Sequence, residues 1–376
     1  MKINVHKIAT NFTGEYCYTH ARGTALPSGK IFVTTQPLLL SGVDVFYGVE
    51  KFTVDGKNFK ASPITPCKNL AREKRGEKNT VVVSDCTPLY HKVTGKILLL
   101  GHSLLYGEDN RLVQKRPRHT AYAVYDGEKG DFEHFKLLDM GDTEYYFAGN
   151  GSGQSFEEEN GDLLIPFYYQ SRFDIENGKY NASAAVMRCA FDGEKLKILE
   201  IGAPLALNVP RGFCEPSVIK YENKYFLCLR NDNDGYLAKS KDGLHYGDLQ
   251  PLCFDDGSSV GNYCTQQHWL TGGDKLWLVY TRRAENNGHV FRHRAPLFIA
   301  EVDPLSLRVI RATEKVVVPE RGARLGNFGC CSLGDGRGVV IASEWMQFGG
   351  GDSEGWKRCM QYGSDNSIFV SEILFD

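Results

Sequence analysis

The sequence lacks the features that mark several protein classes. Its 11 cysteines include no Cys-x-x-Cys pair and follow no regular spacing, which argues against a zinc site or a disulfide framework and is typical of a reducing compartment. No apolar run is long enough to span a membrane, and the first residues, MKINVHKIATNF, contain no signal-peptide core. A formal net charge of −2 gives no overall attraction to nucleic acid or anionic membranes. We therefore expect a cytoplasmic protein without nucleic-acid or membrane partners, and without a cofactor or bound metal.

Glycine and aromatic residues, by contrast, are plentiful. The 376 residues include 40 glycines, 19 tyrosines and 21 phenylalanines, enough for many tight turns and a large core. In the stretch 213–246, short runs of branched and aromatic residues alternate with Gly, Asn and Asp. This pattern is typical of short antiparallel strands joined by turns.

The same unit recurs along the chain. In each copy a strand and a turn rich in Gly or Asp precede a strongly apolar strand, which begins near Ile31, Ile97, Leu163, Tyr225, Leu276 and Val339. Six units of three to four strands predict an all-β fold, a six-bladed β-propeller forming one domain over residues 1–376. The terminal strands near Ile3 and Ile373 are expected to pair and close one blade. A seven-bladed ring with one cryptic blade is the alternative.

Two of the turns resemble a motif of the sialidase superfamily of propellers. Residues 240–246 (SKDGLHY) and 53–59 (TVDGKNF) are similar to degenerate forms of its Asp-box, Ser-x-Asp-x-Gly-x-x-Trp/Phe. The motif is structural, because Asp and Gly fold a tight turn while the aromatic residue packs between blades. The resemblance therefore implies a propeller but says nothing about catalysis.

The resemblance also implies a set of substrate-binding residues. Arg22, Arg230 and Arg294 match the family's three arginines, whose planar guanidinium groups bind a carboxylate through two parallel hydrogen bonds. Asp44 falls where the family keeps its acid/base aspartate, and Glu215 matches the family's glutamate. These residues predict an exo-α-sialidase-like hydrolase as one candidate function.

The position of the family's nucleophile departs from this pattern. Phe328 stands about where the nucleophilic tyrosine belongs, and phenylalanine has no oxygen with which to attack. His293 and Arg324 add two more candidate substrate-binding residues, His293 from the polar, cationic run 286–294. Such a run is suited to an acidic sugar, although a solvated loop would have the same composition.

A second group of polar residues lies at strand ends in the second and third units. His102 ends one apolar strand and His119 begins the next. Tyr168 and Tyr169 end another strand, and Arg188 interrupts the apolar strand that follows. In this order they resemble the catalytic residues of propeller-fold polysaccharide lyases, such as the ulvan lyases and the rhamnosyl-glucuronate lyases.

The chemistry of those lyases explains the residue types. Arginine neutralises the carboxylate of a 4-linked uronic acid, which makes the C5 proton easier to remove. Histidine can abstract that proton near neutral pH, and tyrosine or the second histidine can protonate the leaving O4. We therefore predict a carbohydrate-active enzyme that cleaves an acidic oligosaccharide by β-elimination. An exo-α-sialidase-like hydrolase and a glycan-binding propeller without catalysis are the alternatives.

Overall fold

The computed structural model of the protein describes residues 1–10, 12–349 and 352–376. Its strands form six sheets, each with four to six strands and with antiparallel pairing between the main strands. The sheets are the blades of a six-bladed β-propeller, which confirms the predicted fold. Among the described residues, the helices are Arg172–Glu176, Trp356–Gln361 and the single 3₁₀ turns Lys68–Leu70, Phe291–His293 and Arg311–Thr313. Within the described ranges, no helix has the length and apolarity needed to cross a membrane.

The chain divides into two compact units, and the first comprises Met1–Pro66, Asn233–Gly235 and Pro251–Asp376. This first unit holds blades one, five and six. The strands of blade one are Tyr16–Ala25, Lys30–Leu39, Glu50–Asp55 and Thr65–Pro66. Those of blade five are His268–Gly272, Lys275–Tyr280, Leu297–Asp303, Arg308–Val309 and Lys315–Val318. Those of blade six are Lys2–Thr10, Gly329–Gly334, Arg337–Ser343 and Ser367–Leu374.

The second unit comprises Cys67–Asp232 and Tyr236–Gln250 and holds blades two, three and four, apart from Gly235 and Pro251. The strands of blade two are Glu73–Arg75, Asn79–His91, Lys96–Tyr106, Thr120–Asp126, Asp131–Phe132 and Lys136–Leu137. Those of blade three are Phe147–Gly149, Phe156–Glu157, Leu163–Gln170, Asn181–Phe191, Leu196–Ile201 and Arg211–Gly212. Those of blade four are Cys214–Tyr221, Lys224–Arg230, Gly235–Ser240 and Tyr246–Pro251.

The two terminal strands pair within blade six. Lys2–Thr10 lies antiparallel to Ser367–Leu374, and Ile3 is directly opposite Ile373, as predicted. The amino group of Met1 also contacts the side-chain carboxylate of Asp376. The outermost strand of this blade therefore comes from the start of the chain and the next one from its end.

An aspartate closes the outer hairpin turn in five of the blades. In each case its carboxylate accepts hydrogen bonds of 2.7–3.3 Å from the backbone N–H groups two and three residues later. The residues are Asp55, Asp126, Asp192, Asp242 and Asp303. The Asp-box pattern, with Ser or Thr two residues before the aspartate, indicates only Asp55 and Asp242. The sequence that all five turns share is shorter than the Asp-box: an aspartate followed by Gly or Pro. The aspartate carboxylate folds the turn through these local hydrogen bonds.

Candidate functional site

Tyr168 and Arg118 form the centre of a buried polar cluster in the second unit. The Tyr168 hydroxyl accepts a hydrogen bond of 3.0 Å from Nη1 of Arg118, and Nη2 donates to the Tyr168 carbonyl at 3.3 Å. The guanidinium lies between two aromatic rings, 4.1 Å from the centroid of Tyr168 and 4.0 Å from that of Phe147. Arg118 is 5% exposed and Tyr168 8%. The strand ending in Tyr168 thus places a phenol against a fixed, buried cation.

The positive charge of Arg118 has no acidic partner in the part of the chain that the structure describes. Its hydrogen bonds go to the neutral oxygens of Tyr168, and its Nε is buried without a hydrogen bond. Aromatic faces attract a cation but do not neutralise it, and a buried charge is costly unless it is paired. Arg118 is therefore suited to bind an anion.

His102 and Asp85 lie beside this pair. His102 Nε2 is 3.4 Å from Oδ2 of Asp85, and its ring meets the Tyr168 ring edge-on at a centroid distance of 6.4 Å. Asp85 is held in turn by Ser152, whose hydroxyl donates to Oδ1 at 2.6 Å. Burial lowers the pKa of His102, and the opposing effect of Asp85 is smaller. The imidazole is therefore neutral at neutral pH.

Two glycines fix the position of the His102 ring. A Cβ atom on Gly151 would lie 2.0 Å from His102 Nδ1, and one on Gly149 would lie 2.6 Å from His102 Cβ. Because any larger residue would collide with the ring, the backbone packs directly against it. His102 Nδ1 is buried there without a hydrogen-bond partner among the described residues.

Glu215 and Arg230 form a buried ion pair in the same unit. Arg230 Nη1 donates to Glu215 Oε1 at 2.5 Å, and Arg230 Nη2 lies 3.7 Å from Asp232. Glu215 has φ 46°, a left-handed conformation that is unusual outside glycine, at an irregularity in the pairing of its strand. Burial raises the pKa of Tyr168, and Glu215 contributes to the rise while Arg118 opposes it. Tyr168 is therefore a neutral phenol that can donate a proton.

Three of the predicted lyase residues lie away from this cluster. Tyr169 points to the opposite face from Tyr168 and packs in an apolar core against Tyr145, at a centroid distance of 4.8 Å. Arg188 pairs with Leu164, four residues before Tyr168 on the strand, and its Nη2 donates to the Asp242 carbonyl at 3.1 Å.

His119 is the third predicted lyase residue that lies away from the cluster. Thr120 is paired directly with His102, so the side chain of His119 projects from the other face of the sheet. Burial lowers the pKa of His119, while the charges of Asp142 and Asp139 raise it. Of the predicted lyase group, the structure brings together His102 and Tyr168. It adds Arg118, from the basic run preceding His119, and Asp85, an acid within an apolar strand.

The arginines predicted from the sialidase pattern fall in both units. Arg230 belongs to the second, whereas Arg22 and Arg294 are buried in the first. Arg22 Nε donates to the Phe328 carbonyl at 3.1 Å, and Arg294 Nη1 donates to the Asn327 side chain at 3.3 Å. The segment 326–329 thus runs across both guanidinium side chains. It needs glycine, because a Cβ on residue 326 or 329 would come within 2.9 Å of Arg294 or Arg22, respectively.

Phe328 points into the protein interior. Its side chain is fully buried in the apolar core of the first unit, with its ring edge-on to His268 at a centroid distance of 4.9 Å. Of the other predicted residues, Asp44 is exposed with φ 51°, and His293 is half-buried with Nδ1 3.2 Å from the Asn287 side chain. The position expected for a nucleophile therefore lacks both the oxygen and the orientation.

Acid should destabilise the protein through His268. Burial, and then the charge of Arg22, lower the pKa of His268 to about 3 from 6.5. Between pH 6.5 and about pH 3 the unfolded chain binds a proton at His268 that the folded chain does not. The free energy of unfolding should therefore fall by up to about 1.4 kcal/mol for each unit by which the pH is lowered in this range. Urea unfolding of His268→Gln between pH 6.5 and 4 should show a shallower decline than wild type. Equal slopes for His268→Gln and wild type would contradict the prediction.

Candidate metal ligands do not cluster in the described part of the chain: no group of three or more His, Cys, Asp or Glu side chains is placed to hold an ion. The polar clusters are instead dominated by arginine. Their donors suit anionic oxygen, and the Tyr168 hydroxyl adds a group that can exchange a proton.

Comparisons with known proteins identify the fold. No protein-family model matches the chain, and neither does any curated protein. A solved protein of unknown function from Dyadobacter fermentans is similar, with a TM-score of 0.69 and 14% identity over 99% of each chain. The Hadza microbial sialidase Hz136 has a TM-score of 0.65 and 12% identity over 94% of this chain and 65% of its own. The Trypanosoma rangeli sialidase has a TM-score of 0.63 and 12% identity over 96% of this chain and 55% of its own. The chain thus spans between half and two thirds of these two sialidases, and it has the six-bladed propeller fold that they share.

Proposed function

We propose that this protein is a carbohydrate-active enzyme that cleaves a glycan by β-elimination at a 4-linked uronic acid. The observation that carries the proposal is the hydrogen bond between the buried Arg118 guanidinium and the Tyr168 hydroxyl. It combines a cation for the uronate carboxylate with a proton donor for the leaving oxygen. The structural likeness to proteins named as sialidases supports a carbohydrate as the ligand.

In this reaction Arg118 binds the carboxylate and stabilises the negative charge that develops as the C5 proton leaves. Neutral His102 accepts that proton. The C5–H electron pair forms the C4=C5 double bond, the C4–O4 bond breaks, and the Tyr168 hydroxyl protonates O4. His102 then returns its proton to Tyr168 through solvent, so both groups are restored and no co-reactant is consumed.

The test is to incubate the protein with glucuronate-containing oligosaccharides and to record the ultraviolet absorbance of the unsaturated product. Arg118→Met, which keeps the volume and removes the charge, serves as the matched inactive variant. Wild type should generate absorbance and the variant should not. Absence of unsaturated product with wild type, on substrates of several linkages, would refute the proposed reaction.

The pH dependence of the reaction should reflect the environment of His102. Because burial lowers its pKa, His102 becomes protonated only at a pH below 6.5, the ordinary value for histidine. The acid limb of kcat/KM should therefore lie below pH 6.5, and activity should persist where an exposed histidine would be protonated. Because burial raises the pKa of Tyr168, a profile that rises only above pH 10 would instead mean that ionised Tyr168 is the base, against this assignment.

A sialidase-like hydrolase is the second candidate, favoured by the buried Arg22 and Arg294 of the first unit. The orientation of Phe328 argues against it, because the family's tyrosine nucleophile has no equivalent there. Release of the chromophore from a chromogenic sialoside, without unsaturated product, would support this candidate. Glycan binding without either reaction would support a non-catalytic propeller.

A further inference from the structure

Arg324 and Trp345 form a buried pair in the first unit that the proposed reaction does not use. The guanidinium carbon of Arg324 lies 4.0 Å from the Trp345 ring centroid, and the backbone N–H of Trp345 donates to the Arg324 carbonyl at 2.9 Å. Phe291 lies on another side of the same guanidinium, at 5.1 Å. Arg324 is 6% exposed and Trp345 5%. Both side chains are therefore held in place by backbone pairing and ring contacts.

The charge of Arg324 is not neutralised by an adjacent carboxylate in the described ranges. Its direct hydrogen bond runs from Nη2 to the Gln347 side-chain oxygen at 3.4 Å, and its Nε is buried without a partner. Gln347 is itself fixed, since its amide nitrogen donates to the Leu40 carbonyl at 2.9 Å. A neutral amide at this distance compensates little of a buried positive charge.

Neighbouring charges add to this imbalance. Burial and then the positive charge of Arg294 lower the pKa of Arg324 to about 9, while Asp44 acts in the opposite direction to a smaller extent. The group nevertheless remains a cation at neutral pH. Two guanidinium groups that repel each other in a poorly hydrated region would both gain from an anion between or beside them.

Trp345 supplies a second unused donor. Its indole Nε1 is buried and has no hydrogen-bond partner among the residues described. An indole N–H can only donate, so the group that satisfies it must be an acceptor. Two contacting side chains, Arg324 and Trp345, thus each keep a donor that no protein oxygen satisfies.

We propose that Arg324 and Trp345 bind an oxyanion, the carboxylate or sulfate group of an acidic sugar. The inference rests on the proposed function in taking an acidic glycan as the ligand. It adds an anion position in the first unit to the one at Arg118 in the second. Carboxylate and sulfate share the required chemistry, which is several acceptor oxygens carrying negative charge.

The test measures binding without turnover. Calorimetric titrations use sodium glucuronate, sodium sulfate and neutral glucose at constant ionic strength, on wild type, Arg324→Met and Trp345→Phe. Glucuronate or sulfate should bind wild type and glucose should not, and the stronger anion identifies the source of the oxyanion. Arg324→Met should weaken binding at least about tenfold, the loss expected for a charged hydrogen-bonding group. Trp345→Phe keeps an aromatic ring but removes the indole N–H, and should weaken anion binding several-fold.

The matched control is Arg311→Met. Arg311 also stacks on an aromatic ring, 3.7 Å from the Phe254 centroid, but it pairs with Asp256 at 2.9 Å. The Arg311→Met variant should therefore bind anions with the same affinity as wild type. Equal affinity in wild type, Arg324→Met and Trp345→Phe, or no anion binding by wild type, would overturn the inference. Elimination activity with no Arg324-dependent binding would refute this inference alone, whereas Arg324-dependent binding without elimination would refute the proposed reaction alone.

Discussion

Tyr168→Phe is expected to lower kcat by about 10²–10⁴-fold, the usual contribution of a positioned proton donor. The substitution removes one oxygen, which accepts the 3.0 Å hydrogen bond from Arg118. Burial raises the pKa of the Tyr168 phenol and keeps it protonated. Loss of the hydroxyl should therefore slow the protonation of the leaving oxygen. KM should change little, because Arg118 and its charge remain. The measurement is the initial rate of unsaturated product at saturating substrate.

Tyr169→Phe is the matched control for this experiment. The two tyrosines are adjacent on one strand, but Tyr169 packs in the apolar core on the opposite face. Its replacement should leave kcat within about a factor of two while testing any general effect of losing a hydroxyl. If Tyr169→Phe lost activity and Tyr168→Phe did not, the assignment of the proton donor would be reversed. Circular dichroism of both variants would check that the fold is retained.

Glu215→Gln should reduce the free energy of unfolding by about 3–5 kcal/mol, the cost of leaving one member of a buried ion pair without its partner. Glu215 lies 2.5 Å from Arg230, and the side chains are 11% and 6% exposed. Asp232 is farther from Arg230, at 3.7 Å, and is more exposed. It should therefore compensate only weakly. Urea unfolding at neutral pH gives the difference directly.

Two further variants make this result interpretable. In Glu215→Gln/Arg230→Met both charges are removed, so much of the lost stability should return if the uncompensated arginine is its cause. Glu354→Gln removes an exposed partner of Lys357 and should cost no more than about 1 kcal/mol. A loss of this small size for Glu215→Gln would show that the buried pair does not stabilise the blade.

The fold could be predicted because its signals are local. Short apolar runs bounded by Gly, Asn and Asp define strands without reference to the rest of the chain, and their sixfold recurrence defines the blades. Pairing of Ile3 with Ile373 also followed, because a closed ring needs a partner for its outermost strand. The aspartate turns were only partly recognised, since the Asp-box pattern has a hydroxyl residue, Ser240 or Thr53, two residues before the aspartate. In Asp126, Asp192 and Asp303 the carboxylate folds the turn without it.

The site could be predicted only in part because both faces of a blade are buried. In a half-exposed strand, alternation of polar and apolar residues would have shown which face Tyr168 occupies. Here Tyr168 and Tyr169 are equally buried, at 8% each, and the sequence does not distinguish them. Arg118 was missed for a different reason. It lies in a basic run before a strand, and its contacts with Phe147 and Tyr168, which the sequence does not reveal, separate it from the exposed Arg111 and Lys115.

The aspartate turns described above also bear on the order of folding. Each one joins two consecutive strands through a loop of a few residues, and its hydrogen bonds come from within that loop. Such a hairpin closes at a small entropic cost and can form before any blade packs on another. Five separate nuclei would then be available while the chain is still open. Pairing of the first strand with the last, the contact of longest sequence separation, would come at the end.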